Sequence, residues 1–353
     1  MSTAISFKSK SQKKERPEKV PLLFELRSKS SLRNGVESDA TARCMYSSAP
    51  FIVCRVNQHP MVTAIFKLAL RSLLVLSVPF TYIAAQQHTH TLTGDIRYHH
   101  NFHSKLLNND RDVVVYLPPE YEVTKDKRFS VFYMHDGQNL FDGATSFIPG
   151  QEWKVDETAQ SLINANKIEP LIIVGIYNTG KDRVNEYTPT QDPKYKTGGN
   201  ADLYGRMLVE ELKPFIDQTY RTKHDAAHTG LGGSSLGGLV SLYLGLKYPN
   251  VFSRLAVVSP SVWWANKQIV HFVEQLPRKP ALRIWLDIGT KEGRDPEEAL
   301  KATNDVRLLN ETLEKKGWRP GKDLKYFEAS DAEHNERSWA ARTDQILEFL
   351  FPG

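Results

Sequence analysis

Cysteine is almost missing from this chain: there are two in 353 residues, Cys44 and Cys54, both near its start. Beyond residue 54 there can be no disulfide, thiol nucleophile or thiolate metal site. Long apolar runs are missing too. The most extended one starts at Leu73, is interrupted by Pro79 and covers about 13 residues, short of the ~20 that a spanning helix needs. Nor is the body of the chain basic. Residues 1–60 hold eleven Lys or Arg against five acids, about +6, which leaves about −1 for the rest of a chain with a formal net charge of +5. That balance gives a nucleic-acid partner no electrostatic footprint on the folded part. The hydrophobic fraction of 40% and charged fraction of 25% are those of an ordinary globular protein.

Composition divides the chain into three. Residues 1–60 are rich in Ser, Lys and Arg without a sustained period, and we read them as a disordered extension. Residues 61–85 run from MVTAIFKLALR, with charges at Lys67 and Arg71, through the short apolar run to Ile83-Ala84-Ala85. This is the pattern of a secretory signal peptide with a small-residue exit after Ala85. Translation from Met61, and a secreted or periplasmic product without a stable membrane span, are the expectations. An internal anchor helix is the alternative. Residues 86–353 alternate short apolar runs with helix-like stretches. Strands are expected at 111–117, 129–135, 170–177, 227–231, 254–258, 282–288 and 324–327, and helices at 202–218, 235–247, 296–316 and 338–351. Such alternation predicts an α/β catalytic domain, a mostly parallel central sheet with helices on both faces.

Gly233-Ser234-Ser235-Leu236-Gly237 fits G-x-S-x-G between a strand-like and a helix-like stretch. In a nucleophile elbow the serine sits on a strained strand-to-helix turn, and the flanking glycines let backbone segments approach closely. Ser235 would then stand at a helix N-terminus, where free N–H groups favour developing negative charge. A dinucleotide fingerprint fails because Ser235 stands where a glycine is required, and a Walker A loop fails for want of its lysine.

A nucleophilic serine needs a base oriented by a carboxylate, and on this fold the chain order is Ser, acid, His. Only His271 and His334 follow Ser235. His271 lies within a helix-like stretch, whereas His334 occupies a polar loop between a strand and the last helix, so His334 is the expected base. The acid should lie in LDIGTKEGRDPEE, with Glu292 favoured and Asp295 and Asp287 as alternatives. For the oxyanion, the backbone N–H groups of Leu236 and of Gln138, in Asp136-Gly137-Gln138-Asn139, are the candidates.

These blocks together resemble the esterase family of α/β-hydrolases that includes esterase D-like enzymes, feruloyl and acetyl-xylan esterases, enterochelin esterases and mycolyltransferases. RDVVVYLPPEY, YMHDGQNLFD, GGSSLGGLVSLYLGLKYPNVFSRLAVVSPSVWW, GTKEG and AEHNERSW carry the resemblance, over roughly residues 108–350. It implies a serine esterase with Ser235 as nucleophile, His334 as base, the acid in GTKEG, the oxyanion pair Gln138 and Leu236, and neither metal nor organic cofactor. The expected substrate is a small acyl or sugar-linked ester. The alternatives are acyl transfer to a carbohydrate acceptor and a non-catalytic binding protein on the same fold.

Trp263, Trp264 and Trp339 follow strand ends and could stack on a sugar or aryl group; Trp264 and Arg183 are the candidate substrate contacts. Asn178 and Glu186 lie on the same loop as Arg183, and an Arg183–Glu186 ion pair is the structural alternative. His88, His90, His99, His100 and His103 have no recognisable ligand spacing, so no metal site is expected.

Overall fold

The runs SVFYMH and LIIVGI offer no polar face to water and are suited to a strand covered on both sides. The computed structural model describes residues 90–353, and in it every residue of both runs is buried. The expectations for residues 1–60 and 61–85, for Cys44 and Cys54, and for His88 lie outside the described residues.

The strands are β1 (Asp95–Ser104), β2 (Asn109–Leu117), β3 (Ser130–His135), β4 (Leu171–Ile176), β5 (Gln191–Asp192), β6 (Thr197–Gly198), β7 (Thr229–Ser234), β8 (Arg254–Val258), β9 (Arg283–Gly289) and β10 (Leu324–Ala329). The helices are α1 (Val155–Asn164), α2 (Arg183–Glu186), α3 (Ala201–Arg206), α4 (Lys213–Thr219), α5 (Leu236–Lys247), α6 (Trp264–Glu274), α7 (Pro296–Lys316), α8 (Glu336–Ala340) and α9 (Thr343–Leu350). Eight strands form one sheet in the order β1-β2-β4-β3-β7-β8-β9-β10, and β5 pairs with β6 in a small hairpin. β2 runs antiparallel to β1 and β4, and the other sheet pairs are parallel. This is the expected α/β-hydrolase arrangement.

Alternation along single strands divides two cores. Val113, Val115, Val131 and Tyr133 face a core shared with α3, α4, α5, α6 and α7. Val114, Tyr116, Phe132 and Met134 face the other, shared with α1, α8 and α9. Burial of each such side chain contributes about 1.5–3 kcal/mol. β3, β7, β8, β9 and β10 run in one direction, so the loops after their C-terminal ends gather at one edge of the sheet.

Several elements differ from expectation. The stretch expected as one helix over 338–351 is two, α8 and α9, because Arg342 leaves the helical path and turns its guanidinium inward to Asp287. The helix expected over 202–218 is α3 and α4 joined by a π turn at Met207–Leu212. Pro214, in the first turn of α4, has no N–H to continue an α-helical ladder. β1 and α1 were not expected: β1 is a half-exposed edge strand with five of its ten residues exposed or nearly so in a polar run, and α1 mixes polar and apolar residues. Among the described residues no helix is long and apolar enough to cross a membrane.

Candidate active site

Ser235 joins β7 to α5 with φ 59° and ψ −123°. A side chain seldom adopts that conformation, and holding it costs on the order of 1–3 kcal/mol. The surroundings enforce it. Ser235 N donates to Val258 O at 3.0 Å, and Ser235 O accepts from Leu239 N and Ser261 N, each at 3.1 Å. A Cβ on Gly233 would lie 3.0 Å from the His135 Cβ and 3.3 Å from the Gly237 backbone, so the turn closes only with glycine there. Leu236 is the first residue of α5, and its N–H has no intrahelical acceptor.

The loops after β9 and β10 bring Glu292 and His334 together. His334 Nδ1 donates to Glu292 Oε2 at 2.7 Å. The carboxylate leaves the proton on Nδ1 and the lone pair on Nε2. Glu292 is buried, and its other oxygen accepts from Ser259 Oγ at 2.5 Å and Gly289 N at 2.6 Å. Trp339 sets its ring edge-on to His334 at 5.1 Å and donates its indole N–H to Ser259 Oγ at 3.0 Å. Ser259 therefore connects Glu292, the ring that backs His334, and the strand end that anchors Ser235. In this conformation the Ser235 hydroxyl is 3.4 Å from Ser261 Oγ and makes no hydrogen bond to His334. Such contacts commonly tighten only with substrate bound.

The two alternative acids are engaged elsewhere. Asp287 is wholly buried and accepts from Arg342 Nε and Nη2 at 2.9 Å, Trp285 Nε1 at 2.6 Å and Ser259 N at 3.1 Å. Asp295 caps α7, accepting from Glu298 N at 2.9 Å. His271 lies exposed on α6, 3.1 Å from Glu274.

Across the elbow, β3 runs into Asp136, Gly137 and Gln138. Asp136 has φ 58° and is clamped by Arg183 Nε and Nη2, both at 2.7 Å, and by Asn178 Nδ2 at 2.7 Å. Burial pushes the Asp136 carboxyl up, but the Arg183 charge and the hydrogen bonds outweigh it and hold the group below its ordinary value. A Cβ on Gly137 would come within 2.5 Å of the Gly175 carbonyl carbon, so this loop lies hard against β4. The short 3₁₀ turn Gly137–Asn139 leaves the Gln138 N–H without an intrahelical acceptor. Beneath it His135 is fully buried, with Nδ1 2.9 Å from the Tyr204 hydroxyl, and burial lowers the imidazole to about 3.

Arg183 thus pairs with Asp136. Its expected alternative partner, Glu186, forms a buried pair with Arg111 at 2.8 Å, because β2 carries that guanidinium directly beneath α2. Trp264 is 4% exposed with its indole N–H on Thr190 O at 2.8 Å, so the ring offered to solvent is that of Trp263, 44% exposed. Ser259, Arg342 and Tyr195 escaped the sequence reading. Ser259 and Trp263 lie in the quoted SPSVWW block, but nothing local marks Arg342. The described histidines near β1 go to separate partners: His90 to Asp142, His99 to Tyr220, His100 to Asp112 and His103 to Asp110. No group of three metal-ligating side chains occurs among the described residues.

A family model described as "Putative esterase" matches residues 104–350. The uncharacterized protein YbbA of Bacillus subtilis (strain 168) is 27% identical over 251 residues, 69% of this chain and 93% of that protein. The iron(III) salmochelin esterase of Escherichia coli O6:H1 is 28% identical over 206 residues, 53% of this chain and 44% of that one. The solved structure of an IroE-like serine hydrolase from Shewanella oneidensis is similar at a TM-score of 0.59 and 22% identity, covering 72% of this chain and 80% of that one. At that identity the likeness speaks for the fold.

Proposed function

We propose, from the premise that this chain belongs to the "Putative esterase" family and is a carboxylic ester hydrolase, that it works through an acyl-enzyme on Ser235. The observation that carries this reading is the 2.7 Å His334–Glu292 pair at the same sheet edge as the strained elbow.

His334 Nε2 takes the Ser235 proton as Oγ attacks the ester carbonyl. The N–H groups of Leu236 and Gln138 receive the oxyanion. His334 then gives its proton to the departing alkoxide, and a water deprotonated by the same nitrogen releases the acid. Glu292 fixes the imidazole tautomer and stabilises the imidazolium formed in each half. The substrate is a small acyl or sugar-linked ester; the relative named as a salmochelin esterase supports a small-molecule ester. Export directed by residues 61–85 would carry the enzyme to a secreted or periplasmic site.

A fluorophosphonate probe tests the chemistry directly. The expected result is one adduct, on the peptide containing Ser235, formed in step with loss of p-nitrophenyl acetate hydrolysis. Modification at another residue, with Ser235 unlabelled, would count against the assignment.

A further inference from the structure

Just past His334 the chain enters α8 with Glu336, a buried carboxyl group that the proposed reaction does not use. Building on the acyl-enzyme reading, we infer that Glu336 is a positioning residue. Through Asn139 it ties the loop of His334 to the turn of Gln138, and so sets the spacing between the proton acceptor and the oxyanion donor.

The tie is direct. Asn139 Nδ2 donates to Glu336 Oε1 at 3.0 Å, and both residues are buried. Asn139 ends the 3₁₀ turn whose middle residue is Gln138. Its other polar groups are committed as well. Asn139 N donates to Asp136 O, its carbonyl accepts from Trp153 N, and Oδ1 accepts from Phe147 N, each at 2.9 Å. With the backbone and Oδ1 held, the amide N–H₂ points one way, and Glu336 is the acceptor it meets there.

The other loop is equally constrained. Asn335 starts α8 by accepting from Ser338 N at 3.0 Å, and this cap fixes the chain between His334 and Glu336. Glu336 and Trp339 stand three apart in α8, a spacing that puts side chains on one face. Trp339 meets Trp153 with ring centroids 5.5 Å apart and planes at 35°. The two loops therefore touch at a polar point and an aromatic one, and the Trp153–Asn139 backbone bond joins the two.

Electrostatics favour a geometric task over a charged one. The charged neighbours of Glu336 belong to both loops: Asp136, clamped by Arg183, and His334. Burial raises the Glu336 carboxyl above its ordinary value, and its own backbone N–H with the His334 and Arg183 charges offsets this only in part. An uncharged acceptor of the same length would serve as well. Acyl transfer needs the base and the oxyanion donors placed together, and a misplacement of about 1 Å costs on the order of 10²-fold.

The test uses the full chain, p-nitrophenyl acetate, and a methyl trifluoromethyl ketone whose adduct with Ser235 carries the oxyanion. Glu336→Gln keeps the length and an accepting oxygen but loses the charge, whereas Glu336→Asp keeps the charge and loses the reach. Glu336→Gln should hold kcat within about threefold of the wild type. Glu336→Asp, Glu336→Ala and Asn139→Ala should each lower kcat roughly 10–10²-fold, with KM changed by less than about twofold, and should weaken the ketone by the same factor as kcat/KM. The double variant Glu336→Ala/Asn139→Ala should lose no more than either single one. The reverse order, with Glu336→Asp active and Glu336→Gln impaired, would make the role one of charge and overturn the inference. So would additive losses in the double variant, or a fall in kcat at unchanged ketone affinity, the mark of a partly unfolded sample. Ser235→Ala separates the two claims. If it hydrolyses the ester as well as the wild type does, the acyl-enzyme reading fails and this inference with it; an inert Ser235→Ala beside a fully active Glu336→Ala overturns this inference alone.

Discussion

Glu292 and Asp287 are both buried carboxylates five positions apart, yet their partners give them different work. Glu292 spends one oxygen on His334, whereas Asp287 spends both on Arg342 and the indole of Trp285. Substitution should separate the two. Glu292→Ala should reduce kcat by about 10²–10⁴-fold through loss of the correct tautomer and the imidazolium partner. Asp287→Ala removes the two-bond partner of the buried Arg342 guanidinium, leaving Glu292 Oε1 at 3.5 Å as its nearest carboxylate, and should cost about 3–5 kcal/mol, a fall in unfolding midpoint of roughly 10 °C. Thermal scans and steady-state kinetics on both variants check this. A large kcat loss in Asp287→Ala at unchanged stability, with Glu292→Ala fully active, would exchange the assignments. The sequence favoured Glu292 as the candidate acid by its place on the loop, with Asp295 and Asp287 as alternatives it could not dismiss. The choice depends on Arg342, which reaches Asp287 from 55 positions along the chain.

Among the elements, the loop carrying Gln138 depends on a side chain it does not own. Asp136 sits in a left-handed conformation that the Arg183 fork on α2 secures with two bonds of 2.7 Å. A lysine keeps the charge but loses the fork. Arg183→Lys should lower kcat on the order of 10²-fold by displacing the Gln138 N–H proposed to receive the oxyanion, with KM little changed. A rise in KM alone would instead return Arg183 to direct substrate contact.

The first turn of α1 makes a separate, pH-dependent contribution. A helix N-terminus favours negative charge, but burial, followed by the hydrogen bond and charge of Glu157, raises Asp156 from 3.8 to about 8. The folded state therefore keeps a proton that the unfolded chain has released. Stability from this group is present at acid pH and is lost as pH rises from near 3.8 to about 8. Asp156→Asn should accordingly be more stable than the wild type at pH 8, with the advantage vanishing near pH 4, as unfolding midpoints across that range would record. An equal difference at both ends would refute the buried proton. Elements of this kind were legible unevenly. β3 and β4 declare themselves by unbroken apolar runs, but β1 is a polar edge strand with a bulge between His99 and Phe102. The left-handed turn at Ala265–Lys267 contains no glycine to announce it.

Across the whole molecule, the order of the main strands along the chain and the G-x-S-x-G turn between β7 and α5 were readable because each leaves a local mark. Which of two adjacent tryptophans faces out was not, since Trp263 and Trp264 differ only in what the hairpin of β5 and β6 offers them. The 61–85 segment bears on where the protein works. Expression in a secreting host should yield a product beginning at Gln86, as N-terminal sequencing would show; a product retaining Lys67 and Arg71 would favour the anchor. The central claim, hydrolysis through Ser235, is most directly tested by kcat/KM of the wild type and Ser235→Ala on p-nitrophenyl acetate. The account predicts a loss of about 10⁴–10⁶-fold in a variant with unchanged thermal stability. Activity within tenfold of the wild type would contradict it.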